Sequence, residues 1–338
     1  MTLISKKLDL RKCCSSLIKL PSLNGSTLQE LDIAGCSCLD LAGCSTIGNA
    51  VNLQTLNLSS LPQLLELPSY VGKATNLENL NLKVLPANIN VESLNKLDLA
   101  GCSSLDLAGC SIIGNVVNLR TLDISSSLPQ LLDLPTFIGN AINLDFLDLS
   151  YCSNLVELPL FIGNLQKLQK LRLTGCCKLA VLNFEIQAVS PWLKKMSRLT
   201  EFVLKGCRKL VSLPPIPDSV FYMDASDCES LEILECSFHN PQTSSIFAVL
   251  PGGQVPAYFT HRAAGGGPLT IKLTENPLPK SMRFQACILL LNQEHLYTFP
   301  IKAEVTSSEL LFKFKLEIDD VWNIGECGLV QHLEVPSC

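Results

Sequence analysis

Residues 28–37 read LQELDIAGCS, and residues 94–103 read LNKLDLAGCS. The similarity extends over residues 25–82 and 91–149, and it includes TIGNAVNLQTL at 46–56 and IIGNVVNLRTL at 112–122. A stack of units tolerates so long a duplication, because each unit buries its apolar face on its neighbour and added units only lengthen the array. The sequence therefore predicts an extended binding surface rather than a compact enzyme.

A shorter unit lies within the duplication. The pattern Leu-x-x-Leu-x-Leu, with substitutions, begins at Leu28, Leu53, Leu77, Leu94, Leu119, Leu144, Leu168 and Leu199, with a degenerate copy at Val220 and a partial first copy that ends at Leu10. Most of the steps lie in the leucine-rich-repeat range of about 20–29 residues. The last four residues of each unit are expected to form a strand with its aliphatic side chains inward. Residues 1–235 are thus predicted to form an α/β leucine-rich-repeat solenoid, mostly strand, coil and short helix.

Cysteines recur three residues after the last aliphatic of the pattern. They are Cys13, Cys36, Cys102, Cys152, Cys176, Cys207 and Cys228. We expect a buried turn there, where a small side chain with a weak donor fits against the next coil. The first residues lack a hydrophobic signal region, so we expect a cytoplasmic or nucleo-cytoplasmic protein with reduced thiols. No cysteine pair has the spacing of a zinc site, and no metal site is predicted.

A polar row is expected on the concave face, at the position between the two strand aliphatics. Its members are Asp32, Asn57, Asn81, Asp98, Asp123, Asp148 and Arg172. We predict that this row binds a partner, because the concave face of a solenoid is its usual contact surface. The alternative is that these residues only keep a solvent-facing sheet soluble.

Basic residues are concentrated between positions 167 and 209, where ten basic and two acidic side chains occur in a chain of formal net charge −5. The predicted basic belt comprises Lys167, Lys170, Lys194, Lys195 and Arg198. It is expected to meet an acidic partner or an acidic neighbouring domain. The alternative is a solvated edge. Nucleic acid is not an expected partner, since the chain is acidic and has no recognised reader motif.

The repeat pattern ends near residue 234. Residues 236–245 are predicted to form a linker, and residues 246–338 contain short β-rich runs separated by PGG at 251–253 and GGGP at 265–268. This spacing favours a small all-β sandwich. The step from ILLL at 288–291 to EHLYTF at 294–299 is short, which favours an incomplete sandwich with an exposed edge.

Three strings carry a resemblance to a known family. LPGGQVPAYFTHRA at 250–263 resembles the start of the post-repeat C-terminal jelly-roll/Ig-like domain, or C-JID, of plant TIR-type nucleotide-binding leucine-rich-repeat immune receptors. WNIGECG at 322–328 is similar to the end of that domain, and PPIPDSV at 214–220 is similar to the last repeats of the family. The chain is thereby expected to correspond to the C-terminal part of such a receptor, truncated.

The resemblance implies protein recognition inside a plant cell, by binding either a pathogen effector or the receptor's own switch domain, without catalysis or cofactor. The sequence has no GxxxxGK[ST] loop, so the ATP and NAD chemistry of the family's other domains is not transferred. One alternative is a truncated scaffold or decoy that binds host proteins. Another is an enzyme accessory subunit, although none of the four histidines sits in a catalytic constellation.

Overall fold

The computed structural model describes residues 5–11, 16–24, 26–39, 42–59, 61, 76–81, 93–101, 116–126, 134, 136–180, 192–213 and 216–231. Beyond residue 231 it describes eight strands, which lie between residues 247 and 332. The statements below concern these parts of the chain.

Ten three-residue strands follow the leucine pattern and pair in parallel, each with its neighbours in sequence order. They are β1 (Lys7–Asp9), β2 (Glu30–Asp32), β3 (Thr55–Asn57), β4 (Asn79–Asn81), β5 (Lys96–Asp98), β6 (Thr121–Asp123), β7 (Phe146–Asp148), β8 (Lys170–Arg172), β9 (Glu201–Val203) and β10 (Tyr222–Asp224). The predicted parallel-strand solenoid is confirmed.

The core lies behind this ladder and consists mainly of leucine. The first leucine of each unit is buried, as is the central residue of each strand from β2 to β10. Residues on either side of that centre point outward, because side chains alternate along a strand. The outward face is called the concave face below, and each strand with its turn is called a rung.

Short 3₁₀ turns take the place of long helices. They span Ser45–Asn49, Thr136–Asn140, Leu160–Asn164 and Trp192–Lys195. Pro159 precedes the third of these, and proline at this position disfavours extension of the helix towards the N-terminus. Successive turns stack closely, since a Cβ added at Gly139 would lie 3.0 Å from the Cβ of Phe161. The prediction of strand, coil and short helix is confirmed in the described solenoid.

The repeat cysteines Cys36, Cys152, Cys176, Cys207 and Cys228 are buried in the described solenoid. Their thiols donate hydrogen bonds to backbone carbonyls of the preceding coil rather than the next one; Cys176 Sγ, for example, lies 3.3 Å from the oxygen of Leu149. Burial raises the pKa of Cys152 and of Cys228 to about 12. Cys13 and Cys102 lie outside the described residues.

The C-terminal part contains only strands in its described segments. These are β11 (Phe247–Pro251), β12 (His261–Ala264), β13 (Leu269–Lys272), β14 (Arg283–Leu290), β15 (His295–Phe299), β16 (Ala303–Val305), β17 (Glu309–Phe312) and β18 (Ile324–His332). β11 pairs in parallel with β10 and antiparallel with β15. The solenoid sheet therefore continues through β11, β15, β14 and β18 to β12, while β13, β17 and β16 form a second sheet.

Packing of the two sheets into a sandwich stays a prediction, and the predicted linker at 236–245 lies outside the described residues. Within the described segments, no helix has both the length and the apolar character needed to span a membrane.

Candidate recognition surface

The strand register brings the predicted polar row together. Asp32 lies opposite Asn57, and the pairing continues from strand to strand through Asn81, Asp98, Asp123, Asp148 and Arg172. Val203 and Asp224 extend the row across β9 and β10. All seven predicted residues therefore occupy equivalent positions on the concave face.

Most members of the row also have a structural task. The Oδ1 atom of Asp123 accepts a hydrogen bond from the backbone N–H of Ser125 at 2.9 Å. Equivalent bonds run to Asp32, Asn57, Asp98, Asp148 and Asp224. These Asx turns end each strand and start the next turn. Sequence reasoning missed this role, although the recurrence of Asp and Asn at this position in most repeats is the signal that would have found it.

Within the first five strands, two amide hydrogen bonds join neighbouring members of the row, from β3 to β2 and from β4 to β5. Asn57 Nδ2 lies 3.2 Å from Asp32 Oδ2, and Asn81 Nδ2 lies 3.0 Å from Asp98 Oδ2. A shallow depression of about 290 Å³ lies above them, with Thr55 and Asn79 in its lining. Polar and charged side chains without any aromatic thus line this depression.

The ladder of Asx turns is interrupted at Arg172 and Val203, where an ion cluster joins β8 to β9. The Nε and Nη2 atoms of Arg172 lie 2.9 and 2.8 Å from Glu201 Oε1, and Lys170 Nζ lies 2.9 Å from Glu201 Oε2. The Arg172 guanidinium also lies 5.3 Å from the ring centre of Phe146. Burial opposes ionisation of Glu201, but the hydrogen bonds from Lys170 and Arg172 outweigh it and lower its pKa.

Around this cluster lies a second depression, of about 710 Å³. Its lining includes Tyr151, Lys205, Phe221 and Tyr222 as well as the three residues of the ion cluster, Lys170, Arg172 and Glu201. Tyr151 has a φ of 60°, at the repeat position where Gly35, Gly101, Gly175 and Gly206 also have positive φ. The C-terminal half of the concave face therefore differs in chemistry from the N-terminal half.

The predicted basic belt is divided in the structure, with one member on a concave strand and the others in the turns between strands. Lys170 lies on the concave strand β8, beside Arg172. Lys167 lies in the turn before that strand, with its Nζ 2.6 Å from Asn143 Oδ1. Lys194 and Lys195 belong to the Trp192–Lys195 turn, and Arg198 is exposed just before β9. The acidic partner of this belt stays a prediction.

Within the described residues, no group of three or more His, Cys, Asp or Glu side chains is arranged to hold a metal ion.

The C-terminal strands match a known protein domain. Residues 250–333 match the C-JID domain. The chain is also 37% identical over 213 residues to the probable disease resistance protein RPP1 of Arabidopsis thaliana, an alignment that covers 44% of this chain and 18% of that protein. It is 36% identical over 167 residues to the disease resistance protein TAO1 of the same plant, covering 32% of this chain and 14% of TAO1.

The resemblance to plant disease resistance proteins and to their C-JID domain is thereby confirmed. The chain spans less than a fifth of the length of these curated relatives. Among solved structures, a leucine-rich-repeat protein of Leptospira interrogans is 22% identical with a TM-score of 0.44, covering 67% of this chain and 71% of that one.

Proposed function

We propose that this chain is the recognition module of a plant intracellular immune receptor. Its partner is a protein, either a pathogen effector or the receptor's own switch domain, and the chain carries out no catalysis. The observation that carries the proposal is the concave face, where outward side chains line up in register over ten strands and, apart from the buried Asp148, are at least partly exposed to solvent. The disease resistance relatives and the C-JID match support the immune context.

The physical argument rests on how a parallel ladder presents its side chains. Neighbouring strands lie about 4.8 Å apart, so a partner that lies across several rungs meets many side chains with one orientation. Backbone hydrogen bonds hold the ladder, and the Asx turns fix where each outward residue points. Such a surface is ordered before binding, which limits the entropy lost on association.

Site-specific photo-crosslinking tests the proposal. A photoreactive phenylalanine analogue replaces Thr121, on the concave strand β6, and in a matched control it replaces Val156, which is exposed but belongs to no concave strand. Each variant is expressed in leaves together with a candidate effector and a candidate switch domain. We expect a covalent adduct with one of the two proteins from the Thr121 position alone. Adducts of equal yield from both positions, or from Val156 only, would contradict recognition through the concave face.

A further inference from the structure

We propose that recognition is centred on the last four rungs of the solenoid, β7–β10, and that the partner contributes an acidic segment there. This inference rests on the proposed function and specifies the chemistry of the same face. The surface is called the Tyr151 patch and comprises Tyr151, Lys170, Arg172, Lys205 and Phe221, all of which line the larger depression.

Aromatic side chains are distributed unevenly along the concave face. The first outward residue of each strand from β2 to β6 is Glu30, Thr55, Asn79, Lys96 or Thr121. From β7 onward the surface includes Phe146, Tyr222 and the exposed side chains of Tyr151 and Phe221. Tyrosine and arginine are enriched at the residues that dominate binding energy in protein interfaces. The composition therefore places the centre of binding at the C-terminal rungs.

The accessible charge of the patch is positive even though carboxylates are present. The side chains of Lys170 and Arg172 are 48% and 41% exposed, whereas that of the Glu201 carboxylate between them is 14% exposed. Asp148, the next member of the row, is only 9% exposed. Asp224, the third carboxylate of the lining, is half-buried and accepts a hydrogen bond from the Ser226 N–H. A partner that approaches from solvent thus meets the exposed cations before Glu201 and Asp148.

Lys205 adds a third cation to the patch. It is exposed on the turn after β9, and it forms no salt bridge with any described residue. An aspartate or glutamate of a partner gains charge-assisted hydrogen bonds from Lys205 and from the exposed edge of Arg172. The approach of an acidic segment is also steered at low ionic strength.

Tyr151 supplies the second part of the contact. Its backbone is left-handed, a conformation that L-residues with large side chains rarely adopt, yet the side chain is 59% exposed. The ring rests against Gly175, where an added Cβ would lie 2.6 Å from Tyr151 Cδ1. The repeat itself requires this backbone, because Ser126 and Asp227 also have positive φ at the equivalent position. The exposed ring, and not the backbone, is therefore what points to a contact with a partner. We therefore expect an apolar side chain of the partner beside its acidic residue.

Selection of random linear peptides displayed on phage, with the full chain as bait, tests this proposal. We expect the recovered peptides to be enriched in Asp and Glu next to an aromatic or aliphatic residue. A labelled synthetic copy of one such peptide then serves as the probe for fluorescence anisotropy. Its affinity should fall as salt rises, and Lys205→Glu should weaken it about tenfold or more. Lys178→Glu is the matched control, because Lys178 is exposed, its Nζ contacts Asn154, and neither residue lines the depression.

A pair of glycine variants isolates Tyr151 from general loss of stability. Gly175 and Gly206 have φ values of 70° and 74°, so replacement by alanine strains both backbones alike. Only Gly175→Ala displaces the Tyr151 ring, since the nearest atom to a Cβ at Gly206 is 3.7 Å away. We expect Gly175→Ala to weaken peptide binding several-fold and Gly206→Ala to leave it nearly unchanged.

Several outcomes overturn the proposal. Peptides rich in Lys and Arg, an affinity that ignores both Lys205→Glu and Gly175→Ala, or a library that yields no binder would each do so. If binding responds instead to Thr55→Lys and Asn79→Lys, recognition lies on the N-terminal rungs, and the Tyr151 patch is excluded while the proposed function stands. Failure of the concave photo-crosslink would count against the proposed function itself.

Discussion

Aspartate side chains of the concave row, and Asn57, each use one side-chain oxygen to accept a hydrogen bond in the turn. The second polar atom of the group is left for other contacts, such as the bond from Asn57 Nδ2 to Asp32 Oδ2. At Asp123 the Oδ1 atom accepts from the Ser125 N–H, and the next rungs on either side carry Asp98 and Asp148 in register. Three neighbouring carboxylates repel one another, so their persistence reflects the turn geometry that each of them stabilises. The row therefore combines a local folding role with a predicted binding role, and substitutions can separate the two.

Asp123→Ala should lower the free energy of unfolding by about 1 kcal/mol, because the Ser125 N–H loses its acceptor. Asp123→Asn keeps an acceptor in place and removes one of three neighbouring charges, so its stability should stay near that of the unchanged protein. Urea unfolding of both variants measures the difference. Equal destabilisation by the two changes would show that the charge, and not the turn, matters at this position.

Buried repeat cysteines should not tolerate charge. Cys152→Asp places a carboxylate where the side chain is fully buried, and we expect a loss of about 3 kcal/mol or more. Cys38→Ser changes an exposed side chain and should stay within about 0.5 kcal/mol. Thermal unfolding of the two variants tests the repeat register, and similar melting temperatures would refute it.

At the scale of the strand, the Lys170–Glu201–Arg172 cluster ties β8 to β9 across a long connection. The two strands follow pattern starts 31 residues apart, at Leu168 and Leu199, whereas most steps in the chain are shorter. A local ionic tie between these strands offsets part of the entropy of closing that longer loop. Because the tie includes a carboxylate of lowered pKa, its contribution depends on pH.

Glu201→Gln should reduce the free energy of unfolding by about 1 kcal/mol at pH 7. A lowered folded-state pKa means that the ionised cluster stabilises the protein above the unfolded-state pKa of about 4.3. That stability is lost as the pH falls through the lower folded-state value. The difference between the two proteins should therefore shrink below about pH 4.3, as measured by urea unfolding across pH. A difference that stays constant would exclude the ion cluster as its cause.

The strands of the solenoid could be predicted from the sequence, because each one lies within a short leucine pattern that recurs along the chain. The sequence placed the polar row because Leu31, Leu56 and their equivalents fix which residues alternate outward. It missed the Tyr151 patch, since Tyr151, Lys170 and Lys205 come from different rungs and only the register brings them together. It also missed the pairing of β10 with β11, because residues 232–246 between them carry no repeat pattern.

At the scale of the whole molecule, one sheet joins the repeats to the C-JID region. Tyr222 of β10 lies opposite Phe247 of β11, so the last strand of the solenoid is covered by a strand of the C-terminal part. Pairing of this kind protects an edge that would otherwise be open to other chains. The Tyr151 patch lies next to this junction, on β7–β10.

A chain that recognises without signalling should be silent when expressed by itself in leaves. We expect no cell death, no ATP binding and no cleavage of NAD, and we expect interference when an intact related receptor is supplied beside it. Arg172→Glu should reduce that interference, whereas Lys178→Glu should not. Cell death caused by the chain alone, scored by ion leakage in the absence of any added receptor, would contradict this expectation.

The internal duplication lengthens the solenoid. Its offset of 66 residues, from Leu28 to Leu94, corresponds to three rungs, because pattern starts at Leu53 and Leu77 lie between. At about 4.8 Å per rung, one such event moves everything upstream by about 14 Å along the solenoid. The junction with the C-JID region and the cationic, aromatic rungs beside it are left as they were. Related chains that gain or lose such a block would therefore differ in the length of the solenoid on its N-terminal side. The binding residues of the C-terminal rungs would stay the same.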